Sequence, residues 1–156
     1  MKPKSALFVC LGNICRSPSA EAIMRQKCQE AQLDIRLDSA GTAAFHINES
    51  PDDRAIQVGR GLGYDLSTLK ARQVSVEDFY EFEMIFAMDK NNLKDLKTLH
   101  ARAVLYADNR KVATLGLFDP QGKAVADPYY GDIKDFLAMF EHLESIADGY
   151  LATWQA

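Results

Sequence analysis

An uninterrupted apolar run at residues 6–11, A-L-F-V-C-L, limits the fold of this chain more than any other segment. A strand without polar alternation is typical of a sheet that is covered on both faces, as parallel sheets are. After a short loop, Ser17 and Pro18 predict the start of a helix, because serine caps helices well and proline suits their first turn. The sequence therefore predicts a central strand, a tight loop and a helix, in that order.

Strands and helices continue to alternate after this first unit. Alternation of this kind predicts a mostly parallel sheet with helices on both faces, in which ligands bind at the carboxyl ends of the strands. The loop after the first strand is therefore the first place to expect a binding site. The predicted elements are strands at 35–40, 83–88 and 103–106, helices at about 51–62, after Asp89 and over 133–147, and an irregular stretch at 109–125.

Length and composition narrow the class of protein. The 156 residues suit a single domain over residues 1–156, and 47% apolar residues allow a sizeable core. A net charge of −4 has the wrong sign for binding nucleic acid or anionic lipid, so neither is expected as a partner. Cys10, Cys15 and Cys28 form an odd set crowded into one end of the chain, which favours the reducing cytoplasm over a secreted disulfide framework. Neither a signal peptide nor a membrane-spanning helix is expected.

The loop at residues 10–17, C-L-G-N-I-C-R-S, carries the chemistry. A loop that closes on a helix N-terminus turns backbone N–H groups inward, and Gly12 and Asn13 tolerate the backbone angles that such an anion-binding nest needs. Arg16 can hold two oxygens of a bound phosphate, and the same positive field favours the nucleophilic thiolate form of Cys10. These residues in this order predict phosphoryl transfer rather than a buried cysteine and a surface arginine.

Residues 9–18, V-C-L-G-N-I-C-R-S-P, together with D-P-Y-Y at 127–130, resemble the signature motifs of the low-molecular-weight protein tyrosine phosphatases. The motifs D-S-A-G, S-P-D and K-A-R-Q fall in the order and spacing of that family, so the resemblance spans nearly the whole chain. It implies a three-layer, doubly wound sheet of four parallel strands with helices on both faces. It also implies hydrolysis of phosphotyrosine without metal or cofactor, through a cysteinyl-phosphate intermediate, with inorganic phosphate as the product.

The resemblance extends to individual side chains. It implies that Asp127 is the general acid, although an Asp-Pro pair alone would predict only a turn. Tyr129 and Tyr130 are expected to form an aromatic wall against the substrate ring, with packing at the start of the last helix as the alternative. Phe45 is expected either to line the pocket or to tuck into the core. The residues expected to bind substrate are Leu11, Gly12, Asn13, Ile14, Cys15, Ser17, Phe45, Tyr129 and Tyr130, beside the catalytic Cys10, Arg16 and Asp127.

Three further positions bear on the loop. By the same resemblance, Ser39 is expected to support it by holding Asn13. Leu69 stands where the family commonly has a histidine, so a hydrogen bond that supports the loop is expected to be absent or replaced. Cys15 is expected to form a reversible disulfide with Cys10 under oxidation, with simple packing beneath the loop as the alternative.

Other functions fit the residues less well. An arsenate reductase of the same fold would need further cysteines, and none follows Cys28. A module that only binds phosphotyrosine needs neither a nucleophile nor an acid. The three histidines lack the spacing of metal ligands and none suits a cysteine protease, so no metal site is expected. The expected partners are phosphotyrosine proteins, and the choice between tyrosine kinases and receptors as substrates stays open.

Overall fold

Four parallel strands form the centre of the fold. The computed structural model describes residues 2–156, and its sheet has the strand order β2-β1-β3-β4. The strands are β1 (Ser5–Cys10), β2 (Arg36–Gly41), β3 (Met84–Ala87) and β4 (Thr114–Leu117). All three pairings are parallel, which confirms the expected sheet and places β1 inside it.

Strand β1 is buried along its whole length because both of its faces are covered. Side chains alternate across a strand, so Ala6, Phe8 and Cys10 face one apolar cluster, while Leu7 and Val9 face the other. This double coverage explains the uninterrupted apolar run. It also holds Cys10 at the carboxyl end of a strand that is packed from every side.

Helices cover the two faces of the sheet and complete three layers. One face carries α1 (Arg16–Glu30), α2 (Asp53–Gly61) and α5 (Ile133–Gln155), and the other carries α3 (Asp78–Glu81) and α4 (Lys90–Leu105). The three-layer, doubly wound α/β architecture is thus confirmed. Among residues 2–156, no helix combines the length and the apolar character that crossing a membrane requires.

Residues 103–106 do not form the predicted fourth strand. They complete and cap α4, and Val104 and Leu105 are exposed there. The fourth strand is β4, which lies within the stretch 109–125 that the sequence predicted to be irregular. An edge strand of four residues that contains Gly116 offers few strand-forming side chains, whereas the apolar end of α4 imitates a strand in sequence.

The sequence predicted that Ser17 would cap helix α1, but the helix begins one residue earlier, at Arg16. Cys15 occupies the N-cap position and makes no side-chain hydrogen bond there. The hydroxyl group of Ser17 is instead turned toward the sulfur of Cys10. The first turn of α1 is thereby tied to the end of β1.

Candidate active site

The loop between β1 and α1 leaves a run of backbone N–H groups without partners in the described chain. Asn13 adopts the left-handed conformation, with φ of 58°, that the tight turn requires. Within the described chain, the N–H groups of residues 12–16 find no acceptor. The first turn of α1 adds the positive end of its dipole to these free donors. The loop is therefore shaped to hold a tetrahedral anion.

A buried chain of hydrogen bonds runs from Cys10 to Glu21. The sulfur of Cys10 lies 3.0 Å from Oγ of Ser17. The amide nitrogen of Asn13 donates to Ser17 at 2.8 Å and to Ser39 at 3.0 Å. Ser39 in turn donates to a carboxylate oxygen of Glu21 at 2.7 Å. None of the five residues is more than 4% exposed, so water competes little for these contacts.

Asn13 is the donor from which this chain of hydrogen bonds runs in both directions, to Ser17 on one side and to Ser39 on the other. Ser39 accepts from the Asn13 amide and donates its own proton to the carboxylate of Glu21, which also accepts from Arg25. The second N–H of Asn13 goes to Ser17, so the Ser17 hydroxyl proton is shared between the sulfur of Cys10 at 3.0 Å and the more distant carbonyl of Ala40 at 3.4 Å. A hydrogen bond donated to sulfur stabilises the thiolate relative to the thiol.

Asn13 is held from its other side as well. Its side-chain oxygen accepts a hydrogen bond of 3.0 Å from the backbone N–H of Arg72. The guanidinium of Arg72 is itself bound to Asp38 and Asp78. Leu69, which stands where a histidine was expected, packs against the core instead. Backbone and carboxylate contacts therefore hold Asn13 without a histidine, and the sequence analysis did not identify Glu21 or Arg72 as supports of the loop.

Arg16 is buried, yet one of its donors is unused. Its Nη1 donates to Asp89 at 2.6 Å and to the carbonyl of Val125 at 3.1 Å, and its Nη2 lies 3.6 Å from Oδ2 of Asp127. Its Nε is buried and has no partner within residues 2–156. Burial opposes the charge, but Cys10 and the two carboxylates hold the pKa of Arg16 above its ordinary value. A buried, charged and unsatisfied donor beside the cradle suits an oxygen of a bound anion.

A cleft of about 200 Å³ opens above the loop. Most of the residues predicted to bind substrate line it, and His46, which the sequence analysis did not select, joins them. The lining consists of Cys10, Leu11, Gly12, Ile14, Cys15, Arg16, Phe45, His46, Asp127, Tyr129 and Tyr130. Asn13 and Ser17, which were also predicted to bind substrate, do not line the cleft, and their side chains instead contact Cys10, Ser39 and each other.

Aromatic side chains stand at the mouth of the cleft. Phe45 is 73% exposed, so the alternative that it tucks into the core is wrong. Tyr130 is almost fully exposed, and its ring meets the ring of Tyr129 edge-on at 4.9 Å. Asp127 accepts a hydrogen bond of 3.1 Å from the backbone N–H of Tyr129. A flat ring that enters the cleft would therefore pass an aromatic wall and a carboxyl group on its way to the cradle.

Cys15 lies on the floor of the cleft and is buried. Burial, and after it the carboxylate of Asp52, raises the pKa of this thiol. Cys15 therefore stays a thiol, so a neighbouring thiolate would react with an oxidant before Cys15 does.

Gly41, the last residue of β2, lies directly behind the loop. A Cβ atom on Gly41 would lie 2.7 Å from the carbonyl oxygen of Leu11, closer than such atoms approach in proteins. Thr42 and Ala43 donate backbone hydrogen bonds to Cys10 and Leu11. The end of β2 therefore supports the loop through backbone contacts that leave no room for a side chain.

The sulfur of Cys10, the guanidinium of Arg16 and the carboxyl group of Asp127 line one cleft, an arrangement that fits a thiol-based phosphate-ester hydrolase. In the part of the chain that the structure describes, no group of three or more histidine, cysteine, aspartate or glutamate side chains is arranged to hold a metal ion.

Comparison with known proteins identifies the family. Residues 5–156 match the family model described as low molecular weight phosphotyrosine protein phosphatase. The chicken protein of that name is 39% identical over 151 residues, which cover 95% of this chain and 94% of the relative. The human protein is 40% identical over 141 residues, which cover 88% and 87%. The chain therefore belongs to the low molecular weight phosphotyrosine protein phosphatase family, and it is a hydrolase.

Solved structures agree with this assignment. A low molecular weight phosphotyrosine phosphatase from Vibrio cholerae superposes with a TM-score of 0.83 at 36% identity, over 97% of this chain and 96% of that one. A drosophila arginine phosphatase superposes with a TM-score of 0.87 at 29% identity, over 97% and 98%. The fold is thus shared by phosphatases that are named for different phosphorylated residues, tyrosine in one case and arginine in the other.

Gly41→Ala is expected to displace the loop and to lower kcat/KM for an aryl phosphate by at least about tenfold, because crowded backbone cannot yield as a flexible side chain does. Gly149→Ala is the control: a Cβ atom there meets nothing within 4 Å, and alanine suits helix α5 better than glycine. The control should keep the parental kinetics and gain up to about 1 kcal/mol of stability. Steady-state kinetics and thermal unfolding test both variants, and parental kcat/KM in Gly41→Ala would contradict the argument.

Glu21→Gln is expected to change how stability depends on pH. Burial raises the pKa of Glu21 despite the opposing contacts of Ser39 and Arg25. The stability linked to this shift is complete below the pKa of an unfolded glutamate and is lost as the pH rises through the higher folded-state pKa. The parent should therefore lose stability relative to Glu21→Gln over that interval, as measured by urea unfolding at a series of pH values. A difference in unfolding free energy that is constant with pH would show that no such shift exists.

Proposed function

We propose that this chain hydrolyses phosphotyrosine in proteins, and small aryl phosphates, through a cysteinyl-phosphate intermediate on Cys10. The observation that carries the proposal is the buried, unpartnered Nε of Arg16 in a cleft that also holds the sulfur of Cys10. A phosphoryl group bound in the loop would satisfy that donor together with the free backbone N–H groups. Bound in this way, its phosphorus atom would face the sulfur.

In the first step the thiolate of Cys10 attacks phosphorus and the bond to the tyrosine oxygen breaks. The electron pair leaves on that oxygen, and Asp127 at the mouth of the cleft supplies a proton to it. Arg16 and the N–H groups of the loop stabilise the three equatorial oxygens of the transition state. The products are the free tyrosine hydroxyl and a cysteinyl phosphate.

In the second step water attacks the cysteinyl phosphate. The carboxylate of Asp127 accepts a proton from that water, so one group serves first as an acid and then as a base. The sulfur–phosphorus bond breaks, inorganic phosphate forms, and the electron pair returns to Cys10. The hydroxyl of Ser17, 3.0 Å from the sulfur, stabilises the departing thiolate.

The walls of the cleft favour a phosphorylated ring as the substrate. Tyr129 and Phe45 offer apolar surface to a flat side chain that is long enough to place its phosphate on the loop. Phosphoserine is too short to use these walls. Phosphoarginine is the informative comparison, because one structural relative is an arginine phosphatase. Phosphotyrosine proteins are accordingly the proposed partners, and tyrosine kinases are a natural class among them.

We also propose that the reaction needs no metal and that the enzyme works in the cytoplasm. Each step has its nucleophile, proton donor and charge stabiliser among Cys10, Asp127 and Arg16. All three cysteines are free, and a thiolate nucleophile survives best where thiols stay reduced.

Hydrolysis of p-nitrophenyl phosphate in the presence of EDTA tests the reaction class. Turnover should be unaffected by the chelator, and a phosphotyrosine peptide should be hydrolysed far faster than matched phosphoserine or phosphoarginine peptides. Cys10→Ser should abolish turnover and still bind inorganic phosphate, because the cradle and Arg16 remain. Turnover that persists in Cys10→Ser would exclude the covalent mechanism, and faster hydrolysis of phosphoarginine would overturn the substrate assignment.

Asp127→Ala should lower kcat/KM for phenyl phosphate by about 100-fold or more, and much less for p-nitrophenyl phosphate, because only a basic leaving group needs a proton as it departs. The matched variant Asp127→Asn keeps the oxygen that accepts from Tyr129 and has no proton to transfer, so it should behave like Asp127→Ala. Equal losses on the two substrates would show that Asp127 is not the acid.

Cys15→Ser should make oxidative inactivation harder to reverse. Peroxide converts the Cys10 thiolate to a sulfenic acid and releases hydroxide, and the Cys15 thiol then displaces water to form a disulfide that dithiothreitol can reduce. The parent should recover most of its activity, Cys15→Ser should recover less, and Cys28→Ser should match the parent because Cys28 lies outside the cleft. Mass spectrometry should show the Cys10–Cys15 link, and equal recovery of all three proteins would leave Cys15 as packing.

A further inference from the structure

Arg54, near the start of α2, binds fixed partners with most of its N–H groups. Its Nε and Nη2 donate to the two carboxylate oxygens of Asp52, at 3.0 and 2.9 Å. The same Nη2 donates to the carbonyl of Tyr129 at 2.9 Å, and Nη1 donates to the carbonyl of Gly131 at 3.0 Å. The guanidinium also lies 4.5 Å from the centre of the Phe136 ring. These contacts hold the side chain in a single orientation.

Asp52 ties Arg54 to the loop that carries Cys10. The backbone N–H of Asp52 donates to the carbonyl of Ile14, within that loop, at 2.8 Å. The carboxylate of Asp52 caps α2 by accepting from the backbone N–H of Arg54. The hydrogen bonds from Arg54 keep the pKa of Asp52 below its ordinary value, so the carboxylate remains charged. A continuous set of contacts therefore runs from Ile14 through Asp52 to Arg54.

The segment 127–131 depends on Arg54 for its position. Its internal hydrogen bonds, from Tyr129 to Asp127 and from Gly131 to Pro128, shape the turn and do not attach it to the rest of the protein. Of the residues that the structure describes outside 127–131, only Arg54 donates hydrogen bonds to the backbone of this segment. Arg54 thus holds the backbone that follows Asp127, while Met88 and Arg16 hold Val125, two residues before it.

We propose that Arg54 is a positioning residue for proton transfer, because it fixes Asp127 relative to the nucleophile. The inference rests on the proposed role of Asp127 as the acid. A displacement of about 1 Å is enough to weaken a reaction that depends on aligned groups. Attack by Cys10 and binding of the phosphoryl group use the loop and Arg16, and the hydrogen bond that links the loop to Asp52 comes from the backbone N–H of Asp52, not from the Arg54 side chain. Loss of Arg54 should therefore affect the departure of a basic leaving group and spare the rest of the reaction.

The test compares phenyl phosphate with p-nitrophenyl phosphate as substrates of the full chain. Arg54→Ala should lower kcat/KM for phenyl phosphate by at least about tenfold and for p-nitrophenyl phosphate by less than about threefold. Inhibition by inorganic phosphate should change by less than about twofold, which shows that the loop is intact. Arg60→Ala is the matched control on the same helix, and it should retain parental values on both substrates because the Arg60 side chain makes no hydrogen bond or ion pair within residues 2–156.

Two further variants separate the geometry of the Arg54 side chain from its charge. Arg54→Lys keeps the positive charge and loses the planar fork, so it should show the same selective loss as Arg54→Ala. Arg54→Gln keeps a donor and the length of the side chain, and its selective loss should be smaller. Full recovery in Arg54→Lys would mean that the charge acts through its field, which would overturn the positioning role.

A double-mutant cycle tests whether Arg54 acts through Asp127. In the Asp127→Ala background, Arg54→Ala should change kcat/KM for phenyl phosphate by less than about twofold, because the group that it positions is gone. Additive losses, equal losses on the two substrates, or no loss in Arg54→Ala would each overturn the inference. If Asp127→Ala loses activity equally on the two substrates, the proposed acid is wrong and the inference about Arg54 is wrong with it. If Asp127→Ala loses activity mainly on phenyl phosphate and Arg54→Ala does not, only the inference about Arg54 is wrong.

Discussion

The proposed mechanism requires a negatively charged sulfur at a buried position, and this requirement governs the rest of the structure. Cys10 is 3% exposed, and a charge at such depth is costly unless several donors surround it. The donors come from different elements: the loop supplies backbone N–H groups, and α1 supplies Ser17 and Arg16. Because each donor belongs to another part of the fold, the end of β1, the loop and the first turn of α1 form one unit whose parts cannot shift separately.

Two sets of contacts hold this unit from opposite sides before any substrate arrives. Behind the loop, the chain of hydrogen bonds that ends at Glu21 fixes Asn13 and holds the Ser17 hydroxyl beside the sulfur. In front of it, Asp89 and Val125 fix the plane of Arg16. Groups that are already oriented need no reorganisation as charge moves in the transition state, and this preorganisation is the main electrostatic advantage that a protein has over water.

The parts of the structure that the sequence predicts are those whose causes are local. The apolar run of β1 and the glycine and asparagine of the loop follow rules that span a few residues, so the strand, the nest and the pairing of Cys10 with Arg16 can be predicted. Glu21 reads as an ordinary helix residue because its partner Ser39 lies 18 residues away. The role of Arg54 could not be predicted for the same reason. Its acceptors lie 75 and 77 residues away, and they are backbone carbonyl groups, which every residue has. The edge strand β4 lacked a pattern of its own and was missed.

The reach of Arg16 along the chain has a consequence for how the enzyme is made. Its partners Asp89 and Val125 follow it by 73 and 109 residues, and pairings of such separation form late in folding because closing long loops is slow. A growing chain on the ribosome thus exposes its cysteines and its phosphate loop long before the arginine can be locked in place. The contacts that fix Arg16 are therefore complete only when Val125, in the last third of the chain, has been synthesised and docked.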